Sequence, residues 1–224
     1  YFTTNAVGTL NLLESMRAQG STKIVLASTS SLYAGQNIPF TEDLALNEPL
    51  LPYAASKKAA ELMAYSYHKL YGIDVSVVRY FTVYGPAGRP DMSPYRFIKS
   101  ITEGETIQLF GDGSQSRDFT YVNDIATGTV AAIQDVGYEI INLGGGRSPI
   151  SLTTLISKLE VLIGRKAKIE FKAFHVADLM ETWADITKSK KLLGWEPKTC
   201  LESGLENSVH WYMNNREWLN KLSF

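Results

Sequence analysis

A tyrosine and a lysine that could together move a proton stand four residues apart in the sequence, at Tyr53 and Lys57. Residues with this spacing are neighbours on one face of a helix, so the lysine ammonium can favour the ionised form of the phenol. Such a phenolate is a general base for a hydroxyl group. Four hydroxyl residues at 28–31 follow a short apolar run and could bind the substrate oxygen. The stretch therefore predicts proton transfer to or from a sugar or an alcohol.

Two other pairs have the same spacing, Tyr65 with Lys69 and Tyr95 with Lys99. Tyr65 is far along the same predicted helix, about 18 Å from Tyr53 at a rise of about 1.5 Å per residue, so it cannot share a pocket at the helix start. Tyr95 has no hydroxyl-rich strand end just before it. The context therefore selects Tyr53, although the spacing alone fits an ordinary amphipathic helix equally well.

The pattern of apolar residues predicts the elements that hold these side chains. Runs at 23–28 and 74–80 are apolar along their length, which is typical of strands buried on both faces. A helix is predicted between them at 54–71, and another before them at 5–19. Strand, helix and strand in this order indicate the α/β class, with a parallel sheet covered by helices.

Beyond residue 82 the sequence pattern changes. Glycine and proline at 84–91 predict a loop. Ser151 is a good N-cap for the helix that follows it, and Asn123 or Asp124 is predicted to cap a helix ending near residue 134. The other predicted elements are strands at 106–110, 118–122, 138–143 and 168–171 and helices at 95–102, 151–162, 187–193 and 201–221.

A glycine-rich phosphate-binding loop is missing from the sequence. Dinucleotide-binding domains begin with a strand, a G-x-G-x-x-G turn and a helix that receives the pyrophosphate. The three glycines at 144–146 are followed by Ser148 and Pro149, and the next predicted helix begins only at Ser151. We interpret these glycines as a flexible turn between a strand and a helix.

The composition excludes several classes of function. With 224 residues and a net charge of −1, the chain shows no electrostatic preference for nucleic acid or an anionic membrane. The single Cys200 rules out an internal disulfide and favours a cytoplasmic location. The three histidines are scattered and predict no metal site. No apolar run approaches the roughly 20 residues that span a bilayer.

Three motifs, at 27–35, 52–57 and 79–86, resemble the extended short-chain dehydrogenase/reductase family, and 117–125 and 183–186 resemble its later motifs. The resemblance covers essentially the whole chain in order. It implies a Rossmann-like doubly wound parallel sheet with a smaller C-terminal α/β substrate domain. It also implies an NAD-dependent nucleotide-sugar epimerase or dehydratase, and residues 88–92 are most similar to the UDP-glucuronate 4-epimerases.

The resemblance implies a role for each matching residue near the reaction. Tyr53 would be the base that takes the proton of the sugar 4-OH, and Lys57 would hold the nicotinamide ribose. Thr29 occupies the catalytic Ser/Thr position, with Ser30 and Ser31 as helpers or lining of the substrate site. The other residues expected at the cofactor are Asn5, Ala27, Ser28, Tyr80 and Phe81.

The resemblance also implies contacts with the rest of a UDP-sugar. Thr82 and Arg117 would meet the diphosphate, where a guanidinium suits two phosphate oxygens. The remaining expected contacts are Leu109 and Phe110 beside the uracil and Asp178 at the uridine ribose. Arg89 and Arg96 are the candidates for a sugar carboxylate, with Arg96 slightly preferred, and either could instead be a solvated surface arginine.

The residues after Thr29 favour one reaction within the family. Dehydratase relatives have Asp-Glu there and decarboxylating relatives a Glu, whereas this chain has Ser30 and Ser31. This predicts C4 epimerisation through a 4-keto sugar, most simply of UDP-glucuronate to UDP-galacturonate. UDP-glucose 4-epimerase is an alternative, and a non-catalytic fragment that binds a nucleotide sugar or a partner is another.

Two departures from the family pattern matter. Roughly the first third of the dinucleotide domain is absent, so we expect a truncated gene product, a partial sequence or a disordered N-terminal segment. His175 stands where many relatives have Arg or Gln, which puts one diphosphate contact in doubt.

The family also implies a division of the chain and an assembly. We expect the NAD-binding domain at 1–82 and about 111–143, and the nucleotide-sugar domain at about 83–110 and 144–224. The helices at 5–19 and 54–71 would form a four-helix homodimer interface. Met63, Tyr67 and Leu70 could serve that interface or the core.

Overall fold

The computed structural model describes residues 1–147, 149–174, 179–219 and 221. The strands are β1 Lys23–Thr29, β2 Asp74–Tyr80, β3 Thr82–Tyr84, β4 Thr106–Phe110, β5 Ser116–Arg117, β6 Phe119–Tyr121, β7 Tyr138–Leu143, β8 Ile150–Ser151 and β9 Lys168–Lys172. The α-helices are α1 Gly8–Gln19, α2 Pro52–Tyr71, α3 Ser93–Glu103, α4 Val122–Ala131, α5 Leu152–Ile163, α6 Thr187–Leu193 and α7 Leu201–Leu219. A π-helical turn at Thr3–Val7 precedes α1, and a 3-10 turn at Ser30–Tyr33 follows β1.

These elements agree closely with the prediction. The strand predicted at 118–122 corresponds to β6, and the two-residue β5 before it was not predicted. Helix α4 ends at Ala131 rather than near residue 134. The short strands β3 and β8 were not predicted, since strands of three and two residues carry too little apolar pattern to be recognised.

The central sheet contains three parallel strands in the order β1-β2-β7. Its register pairs Thr29 of β1 with Tyr80 of β2, and Tyr80 with Leu143 of β7. All three strands therefore end at the same edge. Ligands of open α/β sheets bind beyond the carboxyl ends of the strands, so this edge is the expected position of a site.

Helices pack on both faces of this sheet, as predicted for strands that are apolar along their length. On one face, Leu13 of α1 and Tyr67 of α2 pack with Val75 of β2. On the other face, Ile125 of α4 packs with Val78 of β2. Fully burying an aliphatic side chain of this kind stabilises a fold by about 1.5–3 kcal/mol.

A second core lies among α3, α5 and α7. It includes Ile98 and Ile101 of α3, Leu155 and Leu159 of α5, and Leu205 of α7. The parallel pair β4-β9 and the parallel pair β3-β6 contribute residues to the same cluster. This second cluster gives the C-terminal half of the chain its own α/β packing.

One of the two predicted N-caps is correct. Ser151 caps α5, because its Oγ accepts from the backbone N–H of Thr154 at 3.1 Å. The cap predicted for α4 is wrong, since the helix begins at Val122, before Asp124. The Asp124 carboxylate instead accepts from the backbone N–H of Thr199 at 3.0 Å. Local sequence could not reveal this, because the two residues lie 75 positions apart.

The glycines at 144–146 form a tightly packed turn rather than the flexible one predicted. A Cβ on Gly145 would lie 1.9 Å from a carboxylate oxygen of Asp118, and one on Gly144 would lie 2.5 Å from the Ala184 methyl group. Gly146 has a φ of 60°, which favours glycine. The three glycines are thus required by close packing against neighbouring segments.

Candidate active site

Helix α2 brings the predicted proton-transfer pair to the carboxyl end of β1. The helix begins with Pro52, whose fixed φ suits the first helical position. Tyr53 and Lys57 follow, and both are half-buried. The Lys57 ammonium donates to the carbonyl oxygen of Ala27 at 3.1 Å, and burial lowers the pKa of this lysine. The amino end of the helix is thereby held against the last residues of the strand.

The hydroxyl residues after β1 fall into two groups. Thr29 Oγ1 accepts from the backbone N–H of Ser31 and donates to its hydroxyl, both at 3.1 Å. Ser30 and Ser31 are half-buried in the turn that follows. The Ser28 hydroxyl instead donates at 2.6 Å to buried Glu61, so the predicted cofactor contact of Ser28 is left to its backbone.

A short hydrogen-bonded chain connects the N-terminal turn to the start of α2. Asn5 Nδ2 donates to Ser56 Oγ at 2.9 Å, and Ser56 Oγ donates to the carbonyl oxygen of Tyr53 at 2.7 Å. The ring of Tyr1 packs edge-on against that of Tyr53, with centroids 5.4 Å apart. Asn5 therefore lies beside the predicted pair. Sequence reasoning assigned no role to Ser56, since an ordinary helical serine gives no signal.

The last residue of β2 and the two residues after it divide between the site and the core. Tyr80 is paired with Thr29 in the sheet. Phe81 is only 5% exposed because its ring packs against Tyr33. Thr82, the first residue of β3, is half-buried. Tyr80 is thus close to the strand end that carries Thr29, whereas most of Phe81 is core.

The two candidate arginines differ in their relation to Tyr53. Asp91 raises the pKa of Arg89 through a hydrogen bond, and the phenols of Tyr53 and Tyr1 add a smaller electrostatic contribution in the same direction. Arg89 therefore lies within electrostatic reach of Tyr53. Arg96 is exposed in the first turn of α3, and its charge acts on Asp91. Arg89 is also exposed, so the electrostatic influence of Tyr53 is what distinguishes it from Arg96.

The residues expected around the rest of a UDP-sugar lie in the second half of the chain. Leu109 is buried in the second core, whereas Phe110 is 41% exposed at the end of β4. Arg117 is half-buried and donates to its neighbouring carbonyl of Ser116 at 2.8 Å. Asp178 and His175 lie outside the described residues.

Two charged residues beneath the site were missed by sequence reasoning. Glu61 of α2 and Arg79 of β2 form a buried ion pair at 2.8 Å, with each residue 1% exposed. The available signal was an arginine inside an otherwise apolar strand. Among the residues that the structure describes, no cluster of His, Cys, Asp and Glu could hold a metal ion.

The chain belongs to the NAD-dependent epimerase/dehydratase family, whose sequence model matches residues 1–144. A UDP-glucuronate 4-epimerase of Thermodesulfobacterium geofontis is 60% identical over 222 residues, which are 99% of this chain and 69% of that protein. A probable UDP-glucuronate 4-epimerase of Rhizobium meliloti is 36% identical, with 96% of this chain and 69% of the relative covered.

Solved structures support the same relationship. The UDP-glucuronic acid 4-epimerase of Bacillus cereus, in complex with UDP-glucuronic acid and NAD, superposes with a TM-score of 0.91 at 39% identity, over 96% of this chain and 68% of that one. A UDP-glucose 4-epimerase of Thermotoga maritima, with UDP-glucose, gives a TM-score of 0.88 at 30% identity, over 95% and 70%. The predicted Rossmann-like α/β fold is confirmed.

Proposed function

We propose that this protein catalyses NAD-dependent epimerisation of UDP-glucuronate to UDP-galacturonate at C4 of the sugar, through a 4-keto intermediate. The observation that carries the proposal is the attachment of the Tyr53–Lys57 helix to the end of β1, where Thr29 stands. Family membership and the identity to a UDP-glucuronate 4-epimerase support it. Serines rather than acids at Ser30 and Ser31 favour epimerisation over elimination of water.

Side chains of this chain would carry the proton transfers. Tyr53, as a phenolate, removes the proton from the sugar 4-OH and returns it to the same oxygen after the sugar has turned over. The hydroxyls of Thr29 and Ser31 hold that oxygen through hydrogen bonds, and Lys57 stands one helical turn after the base. NAD, held beside these residues, would supply the hydride acceptor for C4 and the donor for the opposite face of the ring.

The described residues fit the nicotinamide half of NAD. An ammonium has three N–H donors, and within the described residues the Lys57 ammonium has one acceptor, the Ala27 carbonyl. The remaining donors suit ribose hydroxyls. We assign Asn5 and Tyr80 to the same cofactor, together with the backbone of Ser28 and the exposed part of Phe81.

The sugar nucleotide would meet residues from both halves of the chain. The guanidinium of Arg89, near Tyr53, suits the C6 carboxylate of a uronic acid, because it can donate to both oxygens. The exposed ring of Phe110 suits uracil, and Arg117 suits the diphosphate. We retain Thr82 at the diphosphate and Asp178 at the uridine ribose as further proposals.

The proposal is tested with the natural gene product that contains this chain. The protein is incubated with NAD and either UDP-glucuronate or UDP-glucose, and the sugar is followed by proton NMR. We expect conversion of UDP-glucuronate to a mixture with UDP-galacturonate, and much slower conversion of UDP-glucose. Faster conversion of UDP-glucose would favour the UDP-glucose 4-epimerase alternative, and no conversion of either sugar would contradict the proposed function.

We also propose a homodimer through α1 and α2. Leu12 of α1 and Leu62 and Leu70 of α2 are 51%, 56% and 71% exposed, which is unusual for three leucines on adjacent helices. Tyr67, considered for the same interface, is buried in the core, and Met63 is partly buried against it. The exposed leucines support the proposed interface.

The domain division and the cellular location remain proposals. We keep the boundaries near residues 82, 111 and 143, with the sheet core on one side and the second core on the other. Within the described residues, no helix has both the length and the apolar character to cross a bilayer. The cytoplasmic location predicted from Cys200 stays a prediction.

A further inference from the structure

A row of buried polar side chains crosses the central sheet just below the candidate active site. The sheet register places Ser28 of β1 beside Arg79 of β2, and Arg79 beside Asn142 of β7. These residues are 5%, 1% and 0% exposed. Polar residues side by side in three strands whose other positions are mainly apolar need partners, because an unpaired buried polar group is costly.

Glu61 of α2 and Tyr33 of the turn after β1 supply those partners. Arg79 donates to both carboxylate oxygens of Glu61, at 2.9 and 2.8 Å, and to the Tyr33 hydroxyl at 2.8 Å. The Ser28 hydroxyl donates to Glu61 at 2.6 Å, and the Tyr33 hydroxyl donates to Asn142 at 2.7 Å. The row is therefore one continuous hydrogen-bonded network.

A contribution to stability alone does not explain this network. Replacing a buried ion pair by apolar residues of similar volume is often neutral or stabilising, because the charges must be desolvated. Its position offers another reason for its presence. Lys57 and Glu61 lie one turn apart on α2, and they bind Ala27 and Ser28, the two residues that immediately precede Thr29.

We propose that Glu61 and Arg79 are positioning residues that, through Ser28, hold Thr29 in register with Tyr53 for the reaction. The inference rests on the proposed function. Helix α2, which carries Tyr53, is bonded to two consecutive residues of β1, Ala27 and Ser28. These two contacts fix the position of the helix relative to the strand that carries Thr29. Misplacement of a reacting group by about 1 Å can cost about 100-fold in rate.

The test compares three variants of the natural gene product at saturating NAD. Ser28→Ala removes the link to the strand and leaves the ion pair of Glu61 and Arg79 intact. A double variant, Glu61→Met with Arg79→Met, replaces the pair by apolar side chains. Tyr138→Phe is the matched control, since it removes a hydroxyl that donates at 3.2 Å to the backbone carbonyl of Glu61 without any link to β1.

We expect Ser28→Ala and the double variant to lower kcat for UDP-glucuronate at least about tenfold, with KM within about twofold. Their melting temperatures should stay near that of the unchanged protein, and amide hydrogen exchange at 27–31 should accelerate. Tyr138→Phe should change none of these quantities. A double variant that is stable and has normal kcat and normal hydrogen exchange would overturn the inference. A lower melting temperature with unchanged kcat, in either variant, would also overturn it.

Turnover by the unchanged protein separates the two proposals. If it converts no UDP-sugar, the proposed function fails, and hydrogen exchange then decides the inference by itself. Unchanged exchange at 27–31 in Ser28→Ala would show that the network does not hold the strand end, and faster exchange there would support the positioning role.

Discussion

At the scale of single residues, Lys57 connects the helix that carries Tyr53 to the strand that ends at Thr29. The Lys57 ammonium is partly withdrawn from water, and charges interact more strongly where water does not screen them. Its bond to the Ala27 carbonyl also fixes the distance between helix and strand. Tyr65, which has the same spacing to Lys69, packs on Tyr138 and beneath the Lys69 ammonium, and it lies on the part of α2 remote from Thr29.

Replacing the proposed base tests this residue directly. We expect Tyr53→Phe to lower turnover of UDP-glucuronate by about 100- to 10,000-fold, the usual contribution of a general acid or base. The melting temperature should change little, because the half-buried ring is retained. Proton NMR of the sugar and thermal unfolding give the two readouts. Turnover near that of the unchanged protein would exclude Tyr53 as the base.

The two arginines provide a matched pair for carboxylate recognition. Arg89→Ala should raise KM for UDP-glucuronate more than for UDP-glucose, because the lost charge is the one that Tyr53 influences electrostatically. Arg96→Ala removes the same charge from another exposed position, without the electrostatic relation to Tyr53, and should affect both sugars equally. Steady-state kinetics with both substrates measure the difference. A larger, UDP-glucuronate-specific rise in KM for Arg96→Ala than for Arg89→Ala would instead assign carboxylate recognition to Arg96.

At the scale of elements, Asp118 joins three segments that the chain order keeps apart. Its carboxylate accepts from the backbone N–H groups of Ala184 at 2.9 Å and Gly146 at 3.1 Å. It thus ties the start of β6 to the glycine turn after β7 and to the segment before α6. Burial raises the pKa of Asp118 to about 6, although these N–H donors oppose the shift.

This raised pKa has a consequence for stability. Between the unfolded pKa near 4 and the folded pKa of about 6, the folded protein holds the proton more tightly than the unfolded chain. The contribution of Asp118 to stability therefore falls as pH rises through this window, by up to about 3 kcal/mol, and is constant above it. Asp118→Asn should lack this component.

Urea unfolding at pH 4.5 and pH 7 of the protein and of Asp118→Asn measures it. Relative to the variant, the unchanged protein should lose free energy of unfolding between the two pH values. The other titrating groups contribute equally to both proteins, so their contributions cancel in the difference between the two free energies of unfolding. An identical pH dependence for both would mean that Asp118 ionises normally in the folded state.

At the scale of the whole molecule, the exposed leucines of α1 and α2 predict the assembly. We expect Leu62→Glu combined with Leu70→Glu to convert a dimer to a monomer, because charges are costly in an apolar interface. Val161→Glu on α5 is the matched control, since Val161 is 82% exposed and lies away from both helices. Analytical ultracentrifugation distinguishes the two states. A monomeric unchanged protein would contradict the interface.

The sequence by itself determined the local elements, the parallel sheet and the Tyr53–Lys57 pair. Strand and helix periods and the four-residue spacing are properties of neighbours along the chain, so they can be read without a structure. The motifs in order also identified the family, which the comparisons confirm.

Only the tertiary structure decided which side chains face the site. It directed Ser28 and Leu109 inward, placed Arg89 within the electrostatic influence of Tyr53, and joined Arg79 to Glu61. Each of these facts depends on partners distant in the sequence. Burial and pairing of polar groups arise when strands and helices pack, and no local pattern specifies them. The spacing of Tyr53 and Lys57 was thus visible in the sequence, but the hydrogen-bonded network of Glu61 and Arg79 was not.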